Sequence, residues 1–380
     1  MCAQHSQPLG RLDVKLYFRN SRCSRASFKS SVFVNTSNTH SKLAFCCWRV
    51  AKTTSRSQIL GQFLFADAME VSTGFRRMST STKNLISFSR PHTMFGTLIS
   101  ITSMGFMACL TQPCLPSTFI IMLLQAVLSA LPMNIAIVGL NQLYDKKMDK
   151  INKPYLPLAA GSFSTNTGLN IVAFASSLAL IIGALCSSFH LMFTLVLSLS
   201  LGVIYSVDSS WMRWKQVPIL ALSCILCVRA LLVQWGFHGH FAEGFTGVLS
   251  LRIPKNIIFS MCFMGLYSIV IALLKDTPDV VGDLKSNIRT FSVRFGVKPV
   301  LRTCMSLLCV DYLCGIYLGI TSVKVYQFMI LTFGHLSCLL LTMDKYAKTV
   351  TTSSASLYSF YMFVWKMFYL EYLILPFLWS

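Results

Sequence analysis

Nine apolar blocks punctuate the chain, at positions 93–111, 117–140, 168–186, 189–206, 217–236, 256–275, 300–320, 325–343 and 357–379. Each is close to the ~20 residues a helix needs to cross a bilayer core, where only a helix or a closed barrel satisfies its own backbone groups. Apolar residues make up 54% of the 380 positions. Charged residues make up 12%, half the ~25% usual in soluble domains. The pattern predicts an all-α polytopic membrane protein with nine transmembrane helices.

The loops carry a matching charge pattern. After the second, fourth, sixth and eighth blocks lie Lys146, Lys147, Lys150, Lys153, Arg213, Lys215, Lys285, Arg289, Arg294, Lys298, Lys345 and Lys348. The opposite loops hold Arg252, Lys255 and Lys324. Lys and Arg concentrate on the side that is not translocated, so twelve against three supports the parity of the count. The stretch "NLISFSRPHTMFGT" before the first span reads as an interfacial entry ending in a Pro-containing turn.

The formal charge of +20 does not mark a nucleic-acid binder, because the basic residues form neither a groove-tracking patch nor a basic helix. Much of the excess lies in residues 1–66, where ten Lys and Arg stand against the single acid Asp13 among many Ser, Thr and Asn. Such a composition predicts an organelle transit peptide. We therefore expect a plastid leader over residues 1–84, a membrane domain over 85–380, and a multi-pass location in a chloroplast membrane.

Fourteen cysteines are scattered, mostly inside apolar blocks. Cys224 and Cys227 form a CxxC without the second ligand pair that zinc would need, and read as small apolar residues of a membrane helix. His238 and His240 in "FHGHF" read as interfacial loop residues. Arg229 and Asp311, ionisable groups inside apolar runs, are expected to face the protein interior and pair with each other.

Only ten acidic residues follow position 90, and five of them fall into two groups. Asn141, Asp145 and Asp149 are spaced four apart; Asp276, Asp279 and Asp283 lie at i, i+3 and i+7. Each row shares one helix face if the helix continues through it, which Pro278 and Gly282 make less secure for the second. By parity both rows end an even-numbered span on one side of the membrane. Carboxylates gathered there call for hard cations, and Mg²⁺ takes one or two carboxylates together with substrate phosphate oxygens. The interleaved Lys150, Lys153, Arg213, Lys215, Lys285 and Arg289 would meet phosphate left uncovered by metal. The combination predicts a site for a metal-bound diphosphate.

"NQLYDKKMDKINKPYLPLAAG" and "KDTPDVVGDLKSNIRTFSVRFG" closely resemble the two Asp-rich motifs of UbiA-type aromatic prenyltransferases. "FSRPHTMFGT", "YSVDSSWMRWKQ" and "SFYMFVWKMFYLEYLILPFL" resemble the plant homogentisate phytyltransferase branch, which includes flavonoid and coumarin prenyltransferases. The likeness covers roughly residues 85–380. It implies nine helices around a central cavity, a prenyl diphosphate donor, an aromatic phenolic acceptor and Mg²⁺ as cofactor. Asp145, Asp149, Asp276, Asp279 and Asp283 would hold metal, and Asp276 and Asp279 are the candidates to polarise the phenol. Asn141, Lys153, Tyr205, Arg213 and Lys215 fall at diphosphate or substrate positions of the family pattern.

Two features depart from the branch. Lys146 and Lys147 stand where a mixed or acidic pair is common, and "WGFHGHFAEGFTGVLSLRIPK" reads as an unusual loop. They tilt the expected acceptor towards a flavonoid or coumarin, prenylated at a ring carbon by a dimethylallyl, geranyl or longer group, with homogentisate phytyl or geranylgeranyl transfer as the alternative. A cation or metabolite transporter is the reading from another class, but transporters place such carboxylates nearer the midplane than at helix ends.

Overall fold

The computed structural model describes residues 79–378, whose regular elements are all helices. In chain order the main ones are α1 (Thr80–Ser89), α2 (Pro91–Cys109), α3 (Pro116–Asn152), α4 (Thr165–Leu185), α5 (Phe189–Ser206), α6 (Pro218–Thr246), α7 (Lys255–Lys275), α8 (Val280–Lys285), α9 (Val297–Ile320), α10 (Val325–Ala347) and α11 (Ser354–Leu378). Sequence sets most of the starts. Ser79, Ser164, Ser188 and Ser353 cap α1, α4, α5 and α11 with side-chain oxygens, and Pro91, Pro116 and Pro218 open α2, α3 and α6.

Eight helices among the described residues, α3 to α7 and α9 to α11, are long and apolar enough to cross a membrane. The expected first span, α2, has the length at 19 residues. It carries His92, Thr93, Thr97, Ser100, Thr102 and Ser103, and does not reach the apolarity of the other eight. On length and composition the count is therefore eight, although α2 packs within the bundle against α3, α6 and α11. The leader reading lies outside the described residues except for 79–84, and there α1 straddles the expected boundary.

A ring of packed helices, α2, α3, α5, α6, α7 and α11, encloses the centre; α4 lies against α3 and α5, and α9 with α10 flanks α7. α7, packed between its ring neighbours and α9, is the most buried of the eight spans. Buried polar groups inside the bundle find one another, as groups cut off from water must. The Tyr267 hydroxyl donates to that of Tyr312 at 2.6 Å, and Gln234 Nε2 donates to the Tyr372 hydroxyl at 2.6 Å.

Three expectations change. His238 and His240 lie buried within α6 rather than in a loop, with His240 Nε2 3.1 Å from the Met122 carbonyl. The supposed unusual loop is thus helical as far as Thr246. Arg229 and Asp311 do not pair: Arg229 Cζ lies 4.6 Å from the Trp365 ring centre, whereas Asp311 is buried in α9 near Glu371.

The Asp motifs end α3 and follow α7, and the Gly247–Pro254 connection lies at the other end of α6 and α7. Ser250→Cys and Asn287→Cys, both at exposed positions, should therefore label from opposite faces. In sealed vesicles an impermeant maleimide should raise labelling above that of the parent protein for only one of the two.

Candidate active site

The first acidic row stays on one helix because α3 runs for 37 residues, about 55 Å, well beyond the ~30 Å of a bilayer core. Its last three turns carry the motif clear of the apolar block. Asp145 and Asp149 are buried on the inner face, and Lys147 and Lys150 are exposed on the outer one. Lys146 also turns outward, to the Thr165 hydroxyl at 3.1 Å. The lysines between the aspartates therefore cover the other side of the helix.

The second row does not share a helix face. α7 ends at Lys275, Asp276 caps it, and the chain turns through Pro278 before Asp279 caps α8. The break wraps the three aspartates around a pocket instead of aligning them along a rod. Pro278 provides the reason, since the residue before a proline is driven out of helical geometry.

Asn152, at the end of α3, clamps the two motifs together. Its Oδ1 accepts from the Gly282 backbone N–H at 2.9 Å, and its Nδ2 approaches Asp283 Oδ1 at 3.4 Å. A Cβ on Gly282 would sit 2.2 Å from that Oδ1, so only glycine admits the contact. Lys153 pairs with Asp279, and Lys215, buried after α5, pairs with Asp145. Asn141 Nδ2 donates to Asp145 Oδ2 at 2.8 Å. Lys275 Nζ donates to the Tyr205 hydroxyl at 2.8 Å.

Asn141, Asp145, Asp149, Lys153, Tyr205, Lys215, Asp276, Asp279 and Asp283 thus border one small polar pocket. Arg213, Lys285 and Arg289 do not. Arg213 is held by Asp208, and Lys285 and Arg289 point to the surface. Four residues not singled out in the sequence belong to the site: Arg90, Lys275, Asn152 and Thr290, the last with its hydroxyl 3.4 Å from Asp283 Oδ2. Lys275 was hidden as the final residue of an apolar block, and Arg90 preceded a proline read only as a turn.

Below this pocket lies a larger cavity of about 230 Å³ inside the helix ring. Arg90, Asn141, Tyr205 and Lys275 border both spaces and form the throat between them. From there the cavity extends to Ala130 on α3 and Thr194 on α5, about three turns or ~16 Å deeper. Its walls include Ile137, Leu201, Ile271, Tyr361 and Trp365.

The donor set fits a divalent ion shared with a ligand. All five candidates are carboxylates, and Asp149 Oδ2 is buried with no hydrogen-bond partner among the described residues. No three of them are grouped tightly enough to cage an ion unaided. Mg²⁺ needs no such cage, because it keeps open positions for phosphate and water. Protonation opposes metal here. Burial, with Asp276 and Asp279 beside it, pushes the Asp283 carboxyl up to about 7, and burial also raises that of Asp276. Burial, with Lys275 nearby, brings the Lys215 ammonium down to about 7.

Residues 98–367 match the model of the UbiA prenyltransferase family. The chain belongs to this family. Among curated relatives, homogentisate phytyltransferase 1 of Arabidopsis thaliana is 44% identical over 292 residues, 77% of this chain and 74% of the relative. Homogentisate geranylgeranyltransferase of Triticum aestivum is 42% identical over 305 residues, 80% of this chain and 74% of the relative. Coumarin 8-geranyltransferase 1 of Citrus limon is 37% identical over 295 residues, covering 77% and 72%. A solved UbiA homolog from Archaeoglobus fulgidus bound to DMAPP and Mg²⁺ shares the fold, with a TM-score of 0.53 at 15% identity, over 77% of this chain and 99% of that one. This UbiA protein is an aromatic prenyltransferase embedded in a membrane by multiple spans.

Two outcomes follow for this UbiA site. Proton release from Asp283, and loss of the Lys215 charge that competes for Asp145, both favour metal as pH rises. Mg²⁺ affinity measured by calorimetry in the presence of inorganic diphosphate should therefore weaken as pH falls through about 7. Asn152→Ala should weaken metal binding about tenfold or more while the bundle stays folded, because it frees Asp283 and α8 from α3.

Proposed function

We propose that this enzyme transfers a C20 prenyl group, phytyl or geranylgeranyl, from its diphosphate to a ring carbon of homogentisate, with Mg²⁺, in a plastid membrane. The observation that carries the reaction class is the throat, where the carboxylate pocket opens directly onto an apolar cavity. The acceptor rests on the relatives, since identity is higher to the plant homogentisate enzymes, 44% and 42%, than to the coumarin and flavonoid ones, 37% and 36%. The lean towards flavonoids and coumarins drew on Lys146 and Lys147, which face away from the pocket, and on a presumed loop that is helical as far as Thr246. The cavity depth suits a donor tail of several isoprene units.

In this reading Asp145, Asp149, Asp279 and Asp283 hold the metal, and Arg90, Asn141, Lys153, Lys215 and Lys275 surround the diphosphate. Bound Mg²⁺ would neutralise charge on the leaving diphosphate. Lys275, fixed by Tyr205, stabilises the same charge from the throat as the carbon–oxygen bond breaks. The apolar walls keep water from the allylic cation, and the Tyr361 and Trp365 rings offer it π-faces. The acceptor ring carbon forms the new bond and loses its proton. Lys153 engages Asp279, which leaves Asp276 as the carboxylate to polarise the phenol.

Microsomes carrying the protein should convert homogentisate with phytyl or geranylgeranyl diphosphate to a prenylated product of the expected mass. EDTA should abolish the product, and Asp145→Ala should lower the rate about 10²-fold or more. Conversion of naringenin or a coumarin, with none of homogentisate, would overturn the acceptor assignment.

A further inference from the structure

Among the described residues Arg229 is a cation without a counter-ion. It lies on α6 inside the bundle and borders the cavity, and no carboxylate among the described residues pairs with it. Its partner is the Trp365 ring, 4.6 Å away, and the Tyr361 phenol lines the same cavity. A cation–π contact offsets only part of the cost of taking a guanidinium out of bulk water. Such a group is kept where it has an anion to bind.

The helix is shaped around this residue. Residues Cys227–Leu232 form a π-helical turn in the middle of α6, a distortion that concentrates at functional sites because it re-aims side chains. Arg229 lies about three turns from Pro218, which borders the carboxylate pocket, and helical side chains lean towards the N-terminus. The guanidinium therefore leans from mid-cavity towards the throat. His92, next but one to Arg90 in the chain, borders the same cavity as Arg90 and Arg229. His92 also meets Trp365 edge-on, with ring centres 5.3 Å apart.

We infer that Arg229 anchors the carboxylate of the aromatic acceptor, so that the cavity selects acidic phenols over neutral ones. The inference rests on the homogentisate reading and deepens it: homogentisate is a dihydroxyphenyl acetate, with its carboxylate one methylene from the ring. A guanidinium matches a carboxylate with two parallel N–H donors. With the acid held there, the ring lies against Tyr361 and Trp365, between Arg229 and the throat where the donor's reactive carbon is released. Arg229 thus positions the acceptor without taking part in bond making.

The test compares homogentisate with two neutral analogues, its methyl ester and 2-methylhydroquinone, using geranylgeranyl diphosphate as donor. In Arg229→Gln the ratio of kcat/KM for homogentisate to that for 2-methylhydroquinone should fall about tenfold or more. Arg229→Lys should keep most of the ratio, and the KM for the donor should stay at its wild-type value in both. An unchanged ratio in Arg229→Gln, or equal loss with both acceptors, would overturn the inference while leaving the homogentisate reading intact. A wild type that turns over only neutral phenols would overturn both. Should the Gln variant be inactive, equilibrium binding to folded wild type in detergent decides. Homogentisate should bind more tightly than its methyl ester, and equal affinities would sink the assignment.

Discussion

Five carboxylates packed at one mouth of a membrane bundle are the constraint on which the rest of the site depends. Left alone they would repel across a half-buried space, where charges are weakly screened. The protein answers with cations from separate elements: Lys153 beyond α3 on Asp279, and Lys215 after α5 on Asp145. These lysines leave Asp149, Asp276 and Asp283 short of positive charge. In the proposed reaction that shortfall would suit a divalent ion, with Arg90 and Lys275 at the throat placed to meet the phosphate that comes with it.

What the sequence disclosed follows the range of each interaction. Asn141, Asp145 and Asp149 share a face because helical spacing is local, and α3 keeps that spacing to Asn152. The second row could not be placed so well, because whether Pro278 ends a helix or kinks it depends on what packs around it. Arg213, Lys285 and Arg289 were indistinguishable in sequence from Lys153 and Lys215. Only tertiary packing separates a lysine buried against Asp145 from exposed residues a few positions beyond Asp283.

"GFHGHF" misled for a different physical reason. Glycine and histidine in succession suggest a turn, but here the glycines let helices approach closely. A Cβ on Gly239 would lie 2.2 Å from the His190 ring, and one on Gly236 would lie 1.8 Å from the Thr194 hydroxyl. His190 Nδ1 in turn lies 3.1 Å from Glu243 Oε2, which also accepts from Ser188 at 2.9 Å. Within a bilayer, where burial of apolar surface no longer drives helices together, small residues and buried hydrogen bonds take over the work of association. Polarity there marks a packed seam at the end of the bundle away from the aspartates.

The throat shows why catalysis and folding are inseparable in this architecture. Arg90 comes from the junction of α1 and α2, where its φ of 50° breaks the helix ahead of Pro91; Asn141 comes from α3, Tyr205 from α5 and Lys275 from α7. In chain order the four are separated by 51, 64 and 70 positions. None of them can be placed by local structure alone. The opening between charged pocket and apolar cavity exists only when the ring of helices closes, and that closure is what brings these four side chains to one level.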